Sequence, residues 1–128
     1  MNILIVDDEI MMVESIKIGL IRKGYNIIGV SNARQALDLL SHDDHGIDLV
    51  ITDYLMPITN GMELLLAIRQ SHLNLPVLIM TAYADTSLVL EAFKNGCSGF
   101  VEKPFSRDQL ITEIKIIEQR LLDRSVDR

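Results

Sequence analysis

The sequence contains no tryptophan and only one cysteine, Cys97, among its 128 residues. A single cysteine cannot form a disulfide within the chain, and this composition is consistent with a reducing compartment, so a cytoplasmic location is expected. No apolar run approaches the roughly 18 residues that a membrane-spanning helix requires. No basic region precedes the first apolar run, and acidic residues 7–9 interrupt it, so we expect neither a signal peptide nor a membrane partner.

Basic residues are also scarce, since 12 lysines and arginines stand against 18 aspartates and glutamates, for a net charge of −6. A protein that contacts nucleic-acid phosphates over a large surface needs a basic patch. The balance therefore argues against nucleic acid as a partner of this chain, although not against a DNA-binding domain elsewhere in a longer protein. The length and the 48% of hydrophobic residues predict one domain with its own core.

Short apolar runs alternate with longer amphipathic segments along the chain. The apolar runs predict five strands, at residues 2–6, 25–30, 48–52, 76–80 and 98–101. Amphipathic segments predict helices at residues 9–23, 61–71 and 85–94, a helix capped by Ser31 or Asn32, and a last helix that starts at a capping box of Ser106 and Gln109. This alternation predicts an α/β fold of the (βα)5 type, a doubly wound five-stranded parallel sheet with helices on both faces.

Two details of the helices belong to this prediction. The first helix is expected to bury one stripe, which begins at Ile10 and continues through Val13 and Ile16. Leu88 and Ile116 lie off the main stripes of their helices. We interpret them as an apolar patch for a partner or for a second copy of the chain, that is, a homodimer.

Four of the five predicted strands are followed by polar residues at their carboxyl ends. Asp7 and Asp8 follow the first strand, Asp53 the third, Thr81 the fourth and Lys103 the fifth. In a parallel α/β sheet all strands end at the same edge, and ligands bind there. Three carboxylates, a hydroxyl and an ammonium group at one edge suit a divalent metal ion and a phosphoryl group.

Four segments at these strand ends read VDDE, ITDYLMPITNG, MTAY and EKPF. Together and in this order they closely resemble the receiver domain of two-component response regulators, of the chemotaxis-regulator type. The similarity extends from residue 2 to about residue 121. It implies a flavodoxin-like fold with strand order 2-1-3-4-5, dependence on Mg²⁺ and a phosphorylated aspartate. It assigns residues 1–122 to the receiver domain and leaves residues 123–128 as a polar tail or the start of a linker.

The resemblance also implies roles for residues near the acidic strand ends. Asp53 would accept the phosphoryl group, because a positioned carboxylate can form an acyl phosphate. Asp8 would bind Mg²⁺ directly, and Asp7 would do so through water or by orienting the site. Asp53 itself and the backbone carbonyl of Leu55 would complete the protein ligands, which are the oxygen atoms that Mg²⁺ prefers.

Further implied roles fall at the fourth and fifth strand ends. Thr81 and Lys103 would bind the phosphoryl oxygens, and the small side chain of Ala82 would leave room for them. Thr81 would then move inward and Phe100 would change its rotamer, which remodels the surface formed by the fourth helix, fifth strand and fifth helix. The resemblance implies a cis peptide bond between Lys103 and Pro104.

Leu55 and Tyr83 each lie two residues beyond a site residue, at positions that in the family tune the lifetime of the phosphoryl group. Both side chains are bulky in this sequence. We hypothesise that they hinder the attacking water and lengthen that lifetime.

The leading interpretation is a signalling module and not a turnover enzyme. It would take its phosphoryl group from a sensor histidine kinase or a phosphotransfer protein and control an effector or an output domain. Mg²⁺-dependent phosphatases of another α/β family also use a strand-end aspartate, but they place a second aspartate where this sequence has Leu55. A further alternative is a receiver fragment of a DNA-binding transcriptional regulator. The sequence names neither the kinase nor the stimulus nor the output.

Overall fold

The computed structural model describes residues 1–83 and 85–126 of the chain. Within these ranges strands and helices alternate. The strands are β1 (Asn2–Val6), β2 (Asn26–Val30), β3 (Leu49–Asp53), β4 (Val77–Thr81) and β5 (Gly99–Glu102). The helices are α1 (Ile10–Ile21), α2 (Ala33–Leu40), α3 (Gly61–Ser71), α4 (Thr86–Lys94) and α5 (Arg107–Val126).

The strands form one parallel sheet in the order β2-β1-β3-β4-β5. The predicted (βα)5 fold with strand order 2-1-3-4-5 is thereby confirmed. The register aligns the strand ends, because Asp53 pairs with Met80 and Thr81 pairs with Glu102. The polar residues at the carboxyl ends of the strands therefore lie along one edge of the sheet.

The core has two layers, one on each face of the sheet. Successive strand residues point to opposite faces, so Leu4 and Val6 join one apolar cluster while Ile3 and Ile5 join the other. The first cluster includes buried residues of α2, α3 and α4, and the second includes those of α1 and α5. Burial on both faces explains why β1, β3 and β4 read as continuous apolar runs.

Short local motifs set the helix ends. The predicted capping box of α5 is confirmed, since Gln109 N–H donates to Ser106 Oγ at 3.1 Å and Ser106 N–H donates to Gln109 Oε1 at 2.7 Å. Asn32, the second of the two predicted candidates, caps α2 by accepting from Gln35 N–H at 2.8 Å. Gly24 follows the carboxyl-terminal end of α1 and has a φ of 92°, which glycine adopts without steric cost.

Two expectations for apolar side chains were wrong. Ile10 is 69% exposed, because it is the first residue of α1 and the buried stripe starts one turn later at Val13. Leu88 is partly buried and packs against the first core cluster, so it does not belong to a surface patch. Ile116 is 41% exposed, as its position off the main stripe of α5 predicts.

The last helix is longer than the sequence pattern suggests. The structure extends α5 through Val126, so residues 123–126 of the expected tail are helical. Residues 127 and 128 lie outside the described residues. In the part of the chain that is described, no helix has the length and apolar character needed to cross a membrane.

Candidate functional site

Three carboxylates meet at the carboxyl ends of β1 and β3. One oxygen each from Asp7, Asp8 and Asp53 lies within 4.8 Å of the others. Asp7 is fully buried and Asp53 nearly so, whereas Asp8 is exposed. The crevice therefore combines two buried carboxylates with one that faces its mouth.

Lys103 extends from the segment after β5 into this cluster. Its Nζ lies 3.3 Å from Asp53 Oδ2 and 3.6 Å from Asp7 Oδ2. The backbone N–H of Lys103 donates to the carbonyl of Thr81 at 2.8 Å, which continues the pairing of β4 and β5. The peptide bond between Lys103 and Pro104 is cis.

The buried carboxylates are electrostatically costly. Burial is the main cause that raises the pKa of both Asp7 and Asp53, and Lys103 opposes it in each case. Repulsion between Asp7 and Asp53 also raises the pKa of Asp7, but it contributes less than burial. Burial on its own lowers the pKa of Lys103, yet the charges of the two aspartates together raise it above its ordinary value.

The loop after Asp53 folds back tightly over the end of β3. Gly61 N–H donates to the carbonyl of Tyr54 at 2.7 Å, and a Cβ atom at position 61 would lie 2.6 Å from the carbonyl oxygen of Asp53. Only glycine permits this approach. At the far end of the loop, Asn60 and Glu63 form a reciprocal capping box at the start of α3. The position of Asp53 is thus fixed by β3 on one side and by α3 on the other.

Thr81 ends β4 beside this cluster and is 1% exposed. Its Oγ1 accepts a hydrogen bond from Tyr83 N–H at 3.0 Å, so the hydroxyl proton stays available for donation. Ala82 and Tyr83 are exposed, and Tyr83 remains 66% accessible. The turn after β4 therefore holds the buried Thr81 hydroxyl in place.

Two other residues named from the sequence lie outside this set of contacts. Leu55 is 51% exposed on the loop after β3. Phe100 is partly buried in β5 and packs against the first core cluster, which includes Ile79 and Ala92. The ion pairs and the carboxylate cluster connect four of the residues predicted from the sequence, namely Asp7, Asp8, Asp53 and Lys103.

Sequence reasoning missed two features of this site. One is the steric role of Gly61, for which the pattern Asn-Gly at a helix start was the available signal. The other is Ile58, whose φ of 71° and complete exposure have no signature in the sequence. Ile58 and Arg34 line a groove of about 610 Å³ that opens beside Asp8.

The donor set suits a small divalent cation. Asp7 Oδ2 is buried and accepts no hydrogen bond from any residue in the described ranges, and its ion pair with Lys103 is long at 3.6 Å. Such an atom is costly unless a cation or further donors satisfy it. Carboxylate oxygens at an open crevice are the ligands that Mg²⁺ binds while retaining several waters.

Comparison with known proteins agrees with this geometry. Residues 3–115 match the family described as the response regulator receiver domain. The transcriptional regulatory protein CpxR of Escherichia coli K12 is 36% identical over 119 residues, which cover 93% of this chain and 50% of that protein. The swarming motility regulation protein RssB of Serratia marcescens is 30% identical over 121 residues, or 94% of this chain and 54% of that protein. The chain spans about half the length of these relatives.

Solved structures show the same fold. The Francisella response regulator 1452 receiver domain superposes with a TM-score of 0.86 at 29% identity, covering 94% of this chain and 98% of that one. A response regulator receiver domain protein from Clostridium thermocellum gives the same TM-score, 0.86, with 29% identity and the same shares, 94% and 98%. Fold, strand-end residues and sequence similarity agree, and the chain belongs to the response regulator receiver domain family.

Proposed function

We propose that this receiver domain accepts a phosphoryl group on Asp53 from the phosphohistidine of a sensor histidine kinase or a phosphotransfer protein. Receiver domains act in two-component signalling, where they interact with histidine kinases and effector domains and are not turnover enzymes. One observation carries the assignment to Asp53: its carboxylate lies in a cluster with Asp7 and Asp8 and forms the shorter ion pair of Lys103, at 3.3 Å.

Receiver domains generally bind Mg²⁺ at an acidic pocket, and the cluster of Asp7, Asp8 and Asp53 is a pocket of this kind. We infer that Asp8 and Asp53 would hold the ion directly, with Asp7 as a water-mediated or orienting ligand and the backbone carbonyl of Leu55 as a further one. When bound, the ion neutralises the negative charge of the carboxylates and of the incoming phosphoryl oxygens.

Asp53 acts as the nucleophile in this mechanism. One of its oxygens attacks the phosphorus, the P–N bond to the donor imidazole breaks, and the electron pair of that bond leaves with the imidazole nitrogen. Lys103 favours the ionised form of Asp53 before transfer and faces the phosphoryl oxygens afterwards. The contribution of the protein is mainly positioning and charge neutralisation, as in other phosphoryl transfers.

After transfer, Thr81 donates its hydroxyl proton to a phosphoryl oxygen, and Ala82 leaves space for that oxygen. The movement of Thr81 allows Phe100 to change its rotamer. Phe100 lines a groove of about 670 Å³ between α4, β5 and α5, which also exposes Leu90 and Phe93. We propose that this surface binds the effector, the output domain or a second copy of the chain, and that phosphorylation of Asp53 changes its shape.

We further propose that the receiver domain includes the whole of α5, through Val126, and does not end at residue 122 as the sequence pattern suggested. The protein would act in the cytoplasm, where a reducing environment keeps Cys97 as a thiol. A second candidate is the receiver part of a DNA-binding regulator. It is favoured by the match to a transcriptional regulatory protein of which this chain spans half.

The first test is the intact mass of the protein after incubation with acetyl phosphate and Mg²⁺. We expect one added phosphoryl group in the unmodified protein and none in Asp53→Asn. Asp44→Asn, which removes an exposed loop carboxylate, serves as the matched control and should be phosphorylated normally. A phosphoryl group that still appears on Asp53→Asn would assign the acceptor elsewhere.

A further inference from the structure

A second polar cavity lies at the opposite edge of the sheet from the carboxylates. It encloses about 330 Å³ between the segments that precede β4 and β5, the end of α3 and the last turns of α5. Three arginines line it, Arg69, Arg120 and Arg124, and no described lining residue is acidic. This concentration of positive charge is unexpected in a chain whose net charge is −6.

Within residues 1–83 and 85–126, Arg69 is a partly buried cation without a carboxylate partner. Its guanidinium makes four hydrogen bonds to three carbonyl oxygens, those of His72, Leu75 and Gly96, at distances between 2.6 and 3.1 Å. These bonds hold the turns around the cavity but leave the charge uncompensated. Burial lowers the pKa of Arg69, which reflects the cost of placing that charge away from water.

Arg120 and Arg124 supply donors that no hydrogen bond or ion pair to another described residue uses, apart from one bond of Arg120. They are one helical turn apart, so they project from the same face of α5. Arg120 donates one hydrogen bond, to the carbonyl of Ser98 at 3.1 Å, and each guanidinium has five N–H donors. Across residues 1–83 and 85–126 neither arginine, nor Arg69, forms an ion pair with a carboxylate.

We propose that this cavity, with Arg69, Arg120 and Arg124 around it, is a binding site for a small phosphate-bearing anion. Arg120 and Arg124 would donate to the phosphate oxygens in the bidentate manner that suits guanidinium groups. Arg69 would contribute its charge and would be compensated in return. The site is separate from the phosphoacceptor, because it lies at the amino-terminal ends of β4 and β5.

The test is an NMR titration of the ¹⁵N-labelled protein with inorganic phosphate at constant ionic strength. EDTA is present throughout, so that no divalent cation occupies the carboxylate cluster. We expect saturable shifts in the amides of residues 96–98 and in the arginine side-chain N–H signals, and the same shifts in Asp53→Asn.

Arg124→Glu is the decisive variant, because it reverses one charge without removing a hydrogen bond that the structure assigns. We expect it to weaken phosphate binding about tenfold or more, the size of one lost charged hydrogen bond. Arg22→Glu, which makes the same charge reversal at an exposed arginine after the end of α1, is the matched control and should bind phosphate unchanged. Shifts that do not saturate, that gather around Asp53, or that persist in Arg124→Glu would overturn the proposal.

Discussion

Ile58 carries backbone strain on the loop that follows β3, the strand that ends at the proposed phosphoacceptor Asp53. Its φ of 71° lies in the left-handed region, where a β-branched residue is a rare outlier, and its side chain gains no packing because it is fully exposed. The left-handed conformation costs an L-residue about 1–2 kcal/mol. Asparagine tolerates it better. Ile58→Asn should therefore stabilise the protein by about 1 kcal/mol, measured by urea unfolding.

Leu73→Asn is the control for this prediction, because Leu73 is also an exposed apolar residue outside a helix and has no positive φ. It should leave the free energy of unfolding nearly unchanged. Equal effects of the two substitutions would mean that the gain comes from removing apolar surface and not from relieving strain.

Leu55 and Tyr83 flank the proposed phosphoryl site without contacting its carboxylates. Both are more than half exposed, so each can be truncated with little loss of packing. If they hinder the attacking water, Leu55→Ala and Tyr83→Ala should each speed loss of the phosphoryl group, by up to about tenfold, or about 1.4 kcal/mol of barrier. Intact mass followed over time measures this rate. Leu122→Ala is the exposed control, and an unchanged half-life in both site variants would refute the hypothesis.

At the scale of elements, the order of strands and helices could be predicted from the sequence. Each buried strand is a continuous apolar run, and each helix that follows repeats its apolar residues with the period of an α-helix. Strand ends shifted by a residue, so that Thr81 belongs to β4 and pairs with Glu102. Such shifts depend on backbone pairing, which leaves no mark on composition. The exposure of Ile10 depends in the same way on where α1 begins relative to the sheet.

The capping box at the start of α3 links helix stability to the loop that carries Asp53. Asn60 Oδ1 accepts from Glu63 N–H at 2.9 Å, and Glu63 Oε1 accepts from Asn60 N–H at 3.0 Å. Removing the cap in Asn60→Ala should cost about 1 kcal/mol in the free energy of unfolding, whereas Asn60→Asp should retain most of it. Gln70→Ala, at an exposed position later in α3, is the control for the effect of placing an alanine in this helix. If Asn60→Ala left the free energy of unfolding unchanged, the capping box would not stabilise the loop.

At the scale of the whole molecule, each of the two edges of the sheet holds a local cluster of charge, and the two clusters have opposite sign. The carboxyl edge gathers Asp7, Asp8 and Asp53, and strand ends in the sequence sufficed to predict that meeting. The amino edge gathers Arg69 with Arg120 and Arg124, which no sequence pattern connects because α3 and α5 are far apart in the chain. Burial is the main cause of the raised pKa values of Asp7 and Asp53, and it depends on the complete fold.

The raised pKa values of Asp7 and Asp53 make stability depend on pH and on Mg²⁺ together. A pKa that is higher in the folded state means that protonation stabilises the fold. That contribution is complete below the ordinary carboxyl pKa and is lost as pH rises through the raised values, so without a divalent cation stability should fall across this window. Mg²⁺ should offset the loss, by about 1.4 kcal/mol when its concentration is about tenfold above its dissociation constant.

Thermal unfolding at a series of pH values, with Mg²⁺ or with EDTA, measures both effects. The stabilisation by Mg²⁺ should grow as pH rises, because only the ionised carboxylates bind the cation. Asp8→Asn removes a proposed ligand whose side chain is exposed, so it should fold normally and lose most of the Mg²⁺-dependent gain. Asp44→Asn should keep the gain in full. A gain that is equal in Asp8→Asn, or that is independent of pH, would place the stabilising ion away from this cluster.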